Sequence, residues 1–211
     1  MTDFTTFLPG FAAAYAILLV AASSPGPAVA MLLGIGLGQG RGPALTASAG
    51  IATGSVVLNL GTIFGIGLLL SQAAWAMQAV RAIGAAYLLW LAWGAFRRAA
   101  AKAPPPRAAS VAPAPAWRHF AAGFALQVTN PKAIVFWLAI NAVGATQGGG
   151  AAVIAAFAFG AWIVSFLCHG AWALLLSSAP VRAAYARARR GIEGTLGAFF
   201  ALFALRLALD R

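Results

Sequence analysis

Asn130-Pro131-Lys132 sets a lysine just after a proline, inside an apolar stretch long enough to cross a membrane. Ser24-Pro25-Gly26-Pro27 interrupts a second such stretch. Proline has no backbone donor and clashes with the preceding turn, so each break frees polar backbone groups where water is scarce. Such groups are tolerated at that depth when they line a cavity or bind something. One break in each half of the chain therefore points to a transport site near the bilayer midplane, with Pro25, Gly26, Pro27, Asn130, Pro131 and Lys132 around it.

The depth of Lys132 follows from length. A helix starting at Pro131 would leave only Ala133 to Val143, about 16 Å, too short to cross. The span must begin near Phe120, which puts Asn130 and Lys132 close to its middle. Two readings stand. In one, Lys132 snorkels to the surface from a shallower position. In the other, its ammonium faces a wet cavity beside the open N-terminus of a half-helix, where charge and dipole both favour a carboxylate.

Other polar residues inside the apolar runs carry paired readings too. Ser55, Asn59 and Thr62 recur at helical spacing on one face, either lining a pathway or holding helices together. Gln127 lies one turn before Asn130, near the second break, and is assigned to the pathway. His169 titrates near neutrality when unperturbed, so it is a candidate proton relay; packing against a neighbouring carbonyl is the alternative. No catalytic or metal-ligating cluster and no cofactor motif is expected.

These residues need a scaffold, and composition supplies it. The 211 residues are 62% hydrophobic and 8% charged, with mean hydropathy +0.88. Soluble domains carry about 25% charged residues. The net charge of +11 reflects scarce acid, since only Asp3, Glu193 and Asp210 are acidic. Its cations sit between apolar runs, which fits loops facing anionic lipid and not nucleic acid. A lone cysteine, Cys168, excludes an intrachain disulfide. The N-terminus has Asp3 and no basic residue before its apolar stretch, so it reads as a retained first helix.

Six spans are predicted, near Phe11–Leu37, Leu45–Leu70, Val80–Phe96, Phe120–Val143, Ala151–Leu176 and Ile192–Leu209. The fold class is all-α and polytopic. Arg41, the Arg97–Arg118 cations and the Arg182–Arg190 cluster fall on one side, which the positive-inside rule makes cytoplasmic. Residues 97–118 and 178–191 are thus expected to be cytoplasmic, the latter as a lipid-surface helix, and both termini periplasmic. A five-span version with a re-entrant first segment stays open. Trp75, Trp117 and Trp172 read as interfacial anchors.

Residues 99–116, with Pro104-Pro105-Pro106, Pro113 and Pro115, form a Pro/Ala-rich linker. It separates two three-span repeats, 1–98 and 117–211, which match at a shift of about 106 residues. Pro25 then falls on Pro131, Gly54 on Gly160, and Leu68-Leu69-Leu70-Ser71 on Leu174-Leu175-Leu176-Ser177. Three spans per half would invert the second repeat, with broken helices 1 and 4 facing each other.

The Pro25-Gly26-Pro27 break, Gly40-Arg41-Gly42, the Gly50 and Gly54 pair, Gly84, Tyr87-Leu88, Gly94, and Gly123 with Asn130-Pro131-Lys132-Ala133 resemble the LysE/RhtB family of amino-acid exporters. The resemblance runs over nearly the whole chain. It implies a bacterial inner-membrane secondary transporter that expels amino acids or close derivatives, driven by the proton-motive force, with inverted repeats. Two positions depart from the family pattern: Ala28 stands where Asn is common and Ser55 where Asp is common. No carboxylate then lies deep in any span, since Glu193 is placed at the start of the sixth. A buried cationic cargo would lack a counter-charge, so a neutral or apolar one is favoured.

The expected partners are an amino-acid-like small molecule and a bilayer with anionic lipid at the basic loops; a homodimer is left open. The competing classes are a serine-hydrolase-like intramembrane enzyme, built from Ser55 or Ser165 with His169, and a structural membrane subunit.

Overall fold

A computed structural model describes residues 4–24, 26–72, 74–101, 114–143, 145–176 and 178–209. Pro25 and most of the proline-rich linker lie outside the described residues. A 3-10 turn, Phe4–Phe7, leads into eight described helices: α1 Leu8–Ser23, α2 Pro27–Gln39, α3 Arg41–Gln72, α4 Ala74–Ala100, α5 Ala116–Thr129, α6 Pro131–Ala142, α7 Ala151–Leu175 and α8 Ala179–Leu209. Among the described residues, three stretches are long and apolar enough to cross a membrane by themselves: Phe4–Ser23, Arg41–Gly65 and Ala151–Leu175. Pro27–Gln39 and Lys132–Asn141 are apolar but short.

Both expected breaks are present, and local chemistry accounts for each. α1 ends at Ser24, whose hydroxyl donates to the Ala21 carbonyl at 2.9 Å. Pro27 then opens α2 at a position where no backbone donor is needed. In the second half, Asn130 leaves helical geometry, its Oδ1 accepts from the Lys132 backbone N–H at 3.1 Å, and Pro131 follows in the first turn. An asparagine N-cap with proline behind it is a strong helix start.

Glycines set the closest helix crossing. A β-carbon at Gly50 would run into the Phe120 carbonyl, and one at Gly123 into the Ala47 carbonyl. α3 and α5 therefore pack backbone to backbone, as small residues permit between membrane helices. Gly54 lies on the same seam, where an added β-carbon would stand 2.9 Å from Gln127 Cβ. Gly160 of α7 receives the Tyr15 ring of α1, whose hydroxyl donates to the Phe157 carbonyl at 3.0 Å. Tyr15 and Phe157 stack at 5.3 Å.

Packing is exchanged between the halves. α3 packs on α5 while α7 packs on α1; α3 meets α6 as α7 meets α2; α3 contacts α7, and α4 contacts α8. The two buried clusters both span the halves, one with Phe11, Leu88, Trp137 and Phe157 and the other with Leu32, Ile51 and Ala173. Outward, Val57, Phe64, Trp90, Trp93, Phe159 and Leu202 are exposed, an apolar surface suited to lipid.

One expectation is corrected. Residues 178–191 are not a separate surface helix before a sixth span at Ile192: from Ala179 they belong to α8, which runs unbroken to Leu209. No proline follows Pro180, which itself sits in the first turn where its missing N–H costs nothing, and Gly191, Gly194 and Gly197 are carried within the helix. The basic cluster and the sixth apolar run thus form one helix, about 46 Å long at 1.5 Å per residue.

Candidate functional site

The two breaks meet. Lys132 Nζ donates to the Ser24 carbonyl at 3.1 Å and also contacts Ser24 Oγ. Residues on opposite sides of the linker are thereby joined at the points where both helices are interrupted. The Phe200 ring of α8 lies 6.0 Å from the ammonium, within range of a cation–π attraction. Lys132 is therefore turned inward among α1, α2, α6 and α8 and does not snorkel.

A cavity opens beside this contact. Its polar lining is Ser24, Ser55, Gln127, Asn130, Lys132, Ser165 and His169; Gly26, Pro27 and Ala28 border it, and Leu18, Ala22, Phe136, Trp137 and Ile140 form an apolar wall. Water-sized molecules find about 40 Å³ for their centres, room for about three waters at 10–15 Å³ each. An amino acid is larger, so the walls must part to admit one. Among the described residues, the lining contains no Asp or Glu.

One wall is a hydrogen-bonded chain across three helices. Gln127 Nε2 donates to Ser55 Oγ at 2.8 Å, and Ser55 Oγ lies 3.2 Å from Ser165 Oγ. His169 Nδ1 is 3.4 Å from Ser165 Oγ and 2.8 Å from the Ser165 carbonyl. A carbonyl only accepts, so Nδ1 carries the proton, and Nε2 is the bare nitrogen of the neutral ring. Thr46, Ser48, Thr53, Thr62 and Thr129 all bond the carbonyl four residues earlier. Ser55 and Ser165 instead turn to each other, which ties α3 to α7 at the cavity.

This geometry removes the hydrolase alternative. A serine needs a base with a bare nitrogen toward its hydroxyl. The nitrogen facing Ser165 is the protonated one, and no carboxylate lies behind the ring among the lining residues.

Of the sequence candidates, Gly26, Pro27, Ser55, Gln127, Asn130, Lys132 and His169 line the cavity, and Pro131 starts the half-helix beneath it. Asn59 does not line it. Asn59 is completely buried one turn beyond Ser55, with Thr62, against Asn141 of α6. The turn of 3.6 residues and the rise of about 6 Å over four residues carry it past the cavity. Asn130 Oδ1 is engaged in capping α6, and the space before Gly26 is filled by the Lys132 ammonium, 3.5 Å from where a β-carbon would stand.

Several residues of the site escaped sequence reasoning. Ser24 belongs to the first break in the sequence, and nothing local marks it as the acceptor for Lys132. Ser165 is named from sequence only beside His169 in the hydrolase alternative and not as a cavity residue, and Phe136 and Trp137 give no local signal. Asn141 closes a buried polar cluster by donating to Asn59 Oδ1 at 3.2 Å, the Asn59 carbonyl at 3.4 Å and Thr62 Oγ1 at 2.6 Å. Asn59 Nδ2 is buried without a partner, which costs about 1–3 kcal/mol. Glu193, expected near a surface, is 2% exposed, and both its oxygens accept from Arg98 Nε at 3.0 Å.

Known proteins resemble this chain over most of its length. The family model for LysE type translocators matches residues 19–211. An uncharacterized membrane protein of Escherichia coli, YahN, is 30% identical over 169 residues, 76% of this chain and 72% of that one. The threonine efflux protein of Escherichia coli is 27% identical over 211 residues, 95% of this chain and 98% of its own. The arginine exporter protein ArgO of the same organism is 32% identical over 161 residues, 75% of each chain. No solved structure matches the chain.

Proposed function

The chain belongs to the LysE type translocators, and on that premise we propose that it exports amino acids or close derivatives from the cytoplasm across the inner membrane. Relatives with matching length are named for threonine efflux and arginine export. The cavity supports neutral or apolar cargo ahead of cationic cargo, because it offers one ammonium and no carboxylate. A cationic side chain there would sit beside Lys132 without a counter-charge, and an unpaired buried ion is expensive.

The single observation that carries this reading is Lys132 at the junction of the two broken helices. The cargo carboxylate displaces Ser24 from the ammonium and gains a charge-assisted hydrogen bond, about twice as strong as a neutral one. The α6 N-terminus adds its dipole. The cargo ammonium meets the second lone pair of Asn130 Oδ1 and the bare Nε2 of His169. Through that nitrogen His169 also exchanges protons with the cavity, the step that would couple export to the proton-motive force. The chain toward Ser55 ends at the Gln127 amide, which neither releases nor accepts a proton at neutral pH.

The exchanged packing of the halves supports two inverted three-span repeats, α1 to α4 and α5 to α8. Six spans result, α1 with α2 and α5 with α6 each making one broken span. Basic residues at the α4–α5 connection and along the first half of α8 put those segments in the cytoplasm. Rocking of one repeat against the other then alternates access.

The test is export from cells that overproduce the chain and are loaded with dipeptides. The amino acids that accumulate outside identify the cargo, and a protonophore should stop their appearance. No amino acid appearing above the control level would refute the reading.

A further inference from the structure

The Asn59–Thr62–Asn141 cluster has no part in the cavity, yet it holds the one buried side-chain polar atom without a partner among the described residues, Asn59 Nδ2. A tie between α3 and α6 uses only the acceptor half of Asn59: its Oδ1 and carbonyl receive the Asn141 amide. The Nδ2 donor is surplus to that tie.

Position suggests what it serves. Asn59 follows Ser55 by one turn, and Asn141 follows Ile140; both predecessors line the cavity. Lys132 and Asn141 stand at opposite ends of α6, about 13 Å apart along its axis at 1.5 Å per residue. In the six-span arrangement the α6 C-terminus faces outward, so the cluster lies between the cavity and the exit.

We propose that Asn59 and Asn141 form a second, carboxylate-receiving station on the export route, through which the cargo passes after leaving Lys132. This rests on the reading of the cavity as an amino-acid site. When α6 parts from α3, the Asn141 amide is freed and joins Asn59 Nδ2, offering neutral N–H donors to one carboxylate. Neutral donors hold a carboxylate less tightly than an ammonium does. The cargo then steps from a strong site to a weak one, and binding at the last site stays weak enough to permit departure.

Two variants of the whole chain in proteoliposomes test this, with radiolabelled L-threonine as probe. Asn59→Asp keeps acceptors for Asn141 and Thr62 but removes the surplus donor and sets a like charge before the carboxylate. Asn141→Asp gives Asn59 Nδ2 an acceptor, so the Asn59 donor is consumed. Each should slow net efflux at least tenfold while equilibrium binding stays within twofold of the parent. Unchanged efflux in either correctly inserted variant would overturn the station, as would a parallel loss of binding. Should one variant fail to insert, the other decides. Lys132→Ala separates this from the central reading: threonine binding that survives it removes the cavity site, whatever the Asn59 variants do.

Discussion

Lys132 Nζ occupies the space in front of Gly26, 3.5 Å from where a β-carbon would sit. The two positions lie 106 residues apart, the same shift that sets Pro25 on Pro131 in the sequence. Their neighbours Ser24 and Asn130 correspond as well, and each caps a helix end at its own break. The two breaks are thus alike in their capping and unlike in charge. A lysine from one fills the room left by a glycine in the other, so a single ammonium serves both breaks.

Gly26→Ala should preserve export within about threefold, because 3.5 Å is ordinary van der Waals contact and the residue is extended, at φ −175°. Gly26→Leu should abolish it by pushing the ammonium off Ser24, at a typical overpacking cost of about 1–3 kcal/mol. Export rates of the two variants at matched membrane levels check this. Equal activity would show that Lys132 does not use that space.

Lys132→Ala should reduce export to background while insertion and folding persist. A lysine at mid-span costs roughly 2.5–3.5 kcal/mol on insertion scales, and its removal relieves that. Thermal unfolding in detergent should therefore occur at an equal or higher temperature than in the parent. A variant that is both inactive and markedly less stable would make Lys132 a structural tie between the breaks and not a binding group.

Much of this arrangement was legible because hydropathy and proline act locally. The edges of α3 and α7 follow from their apolar runs, and both breaks follow from proline chemistry. Ser55, Gln127, Asn130, Lys132 and His169 stood out as polar residues in apolar surroundings, and they share the cavity. What escaped depends on contacts far apart in sequence. Nothing near Ser24 announces that a lysine 108 residues further on will bond to it. Asn59 and Ser55 share a helix face, yet the rise of one turn separates a cavity wall from a buried tie. The apolar run that starts at Ile192 places Glu193 near a surface; α8 begins at Ala179, and Arg98 covers the carboxylate.

Gly50→Ala should lower the unfolding temperature sharply, since the new methyl would meet the Phe120 carbonyl. Backbone cannot yield as a flexible side chain can, so α3 and α5 must separate and Gln127 loses Ser55. Gly61→Ala is the control, because its β-carbon would meet nothing within 4 Å. A comparable loss in both would mean that glycine flexibility, and not the close crossing, matters at these sites.

Ser55 and Ser165 should be energetically coupled. Hydrogen bonds between membrane helices average about 0.6 kcal/mol in double-mutant cycles, with a maximum of about 1.7. Ser55→Ala, Ser165→Ala and the double variant should give a coupling within that range by denaturant unfolding. The single variants should also impair export, because His169 and Gln127 are held through the same pair. Additive losses of stability would break the chain between α3 and α7.

The Arg98–Glu193 pair predicts an asymmetry. Glu193 is buried, whereas 45% of the Arg98 side chain is in solvent. Glu193→Gln keeps an oxygen to accept from Arg98 Nε and removes a buried charge, so stability should change little. Arg98→Ala strands a carboxylate between α4 and α8, and breaking a fully buried pair costs about 3–5 kcal/mol. The loss here should be smaller, because solvent screens the guanidinium side. Adding Glu193→Leu to Arg98→Ala should recover most of it, since the stranded charge is then gone and the site fills with apolar atoms. Thermal unfolding of the three variants decides the matter. A double variant no more stable than Arg98→Ala would mean that the guanidinium holds α4 to α8 by packing, not by charge.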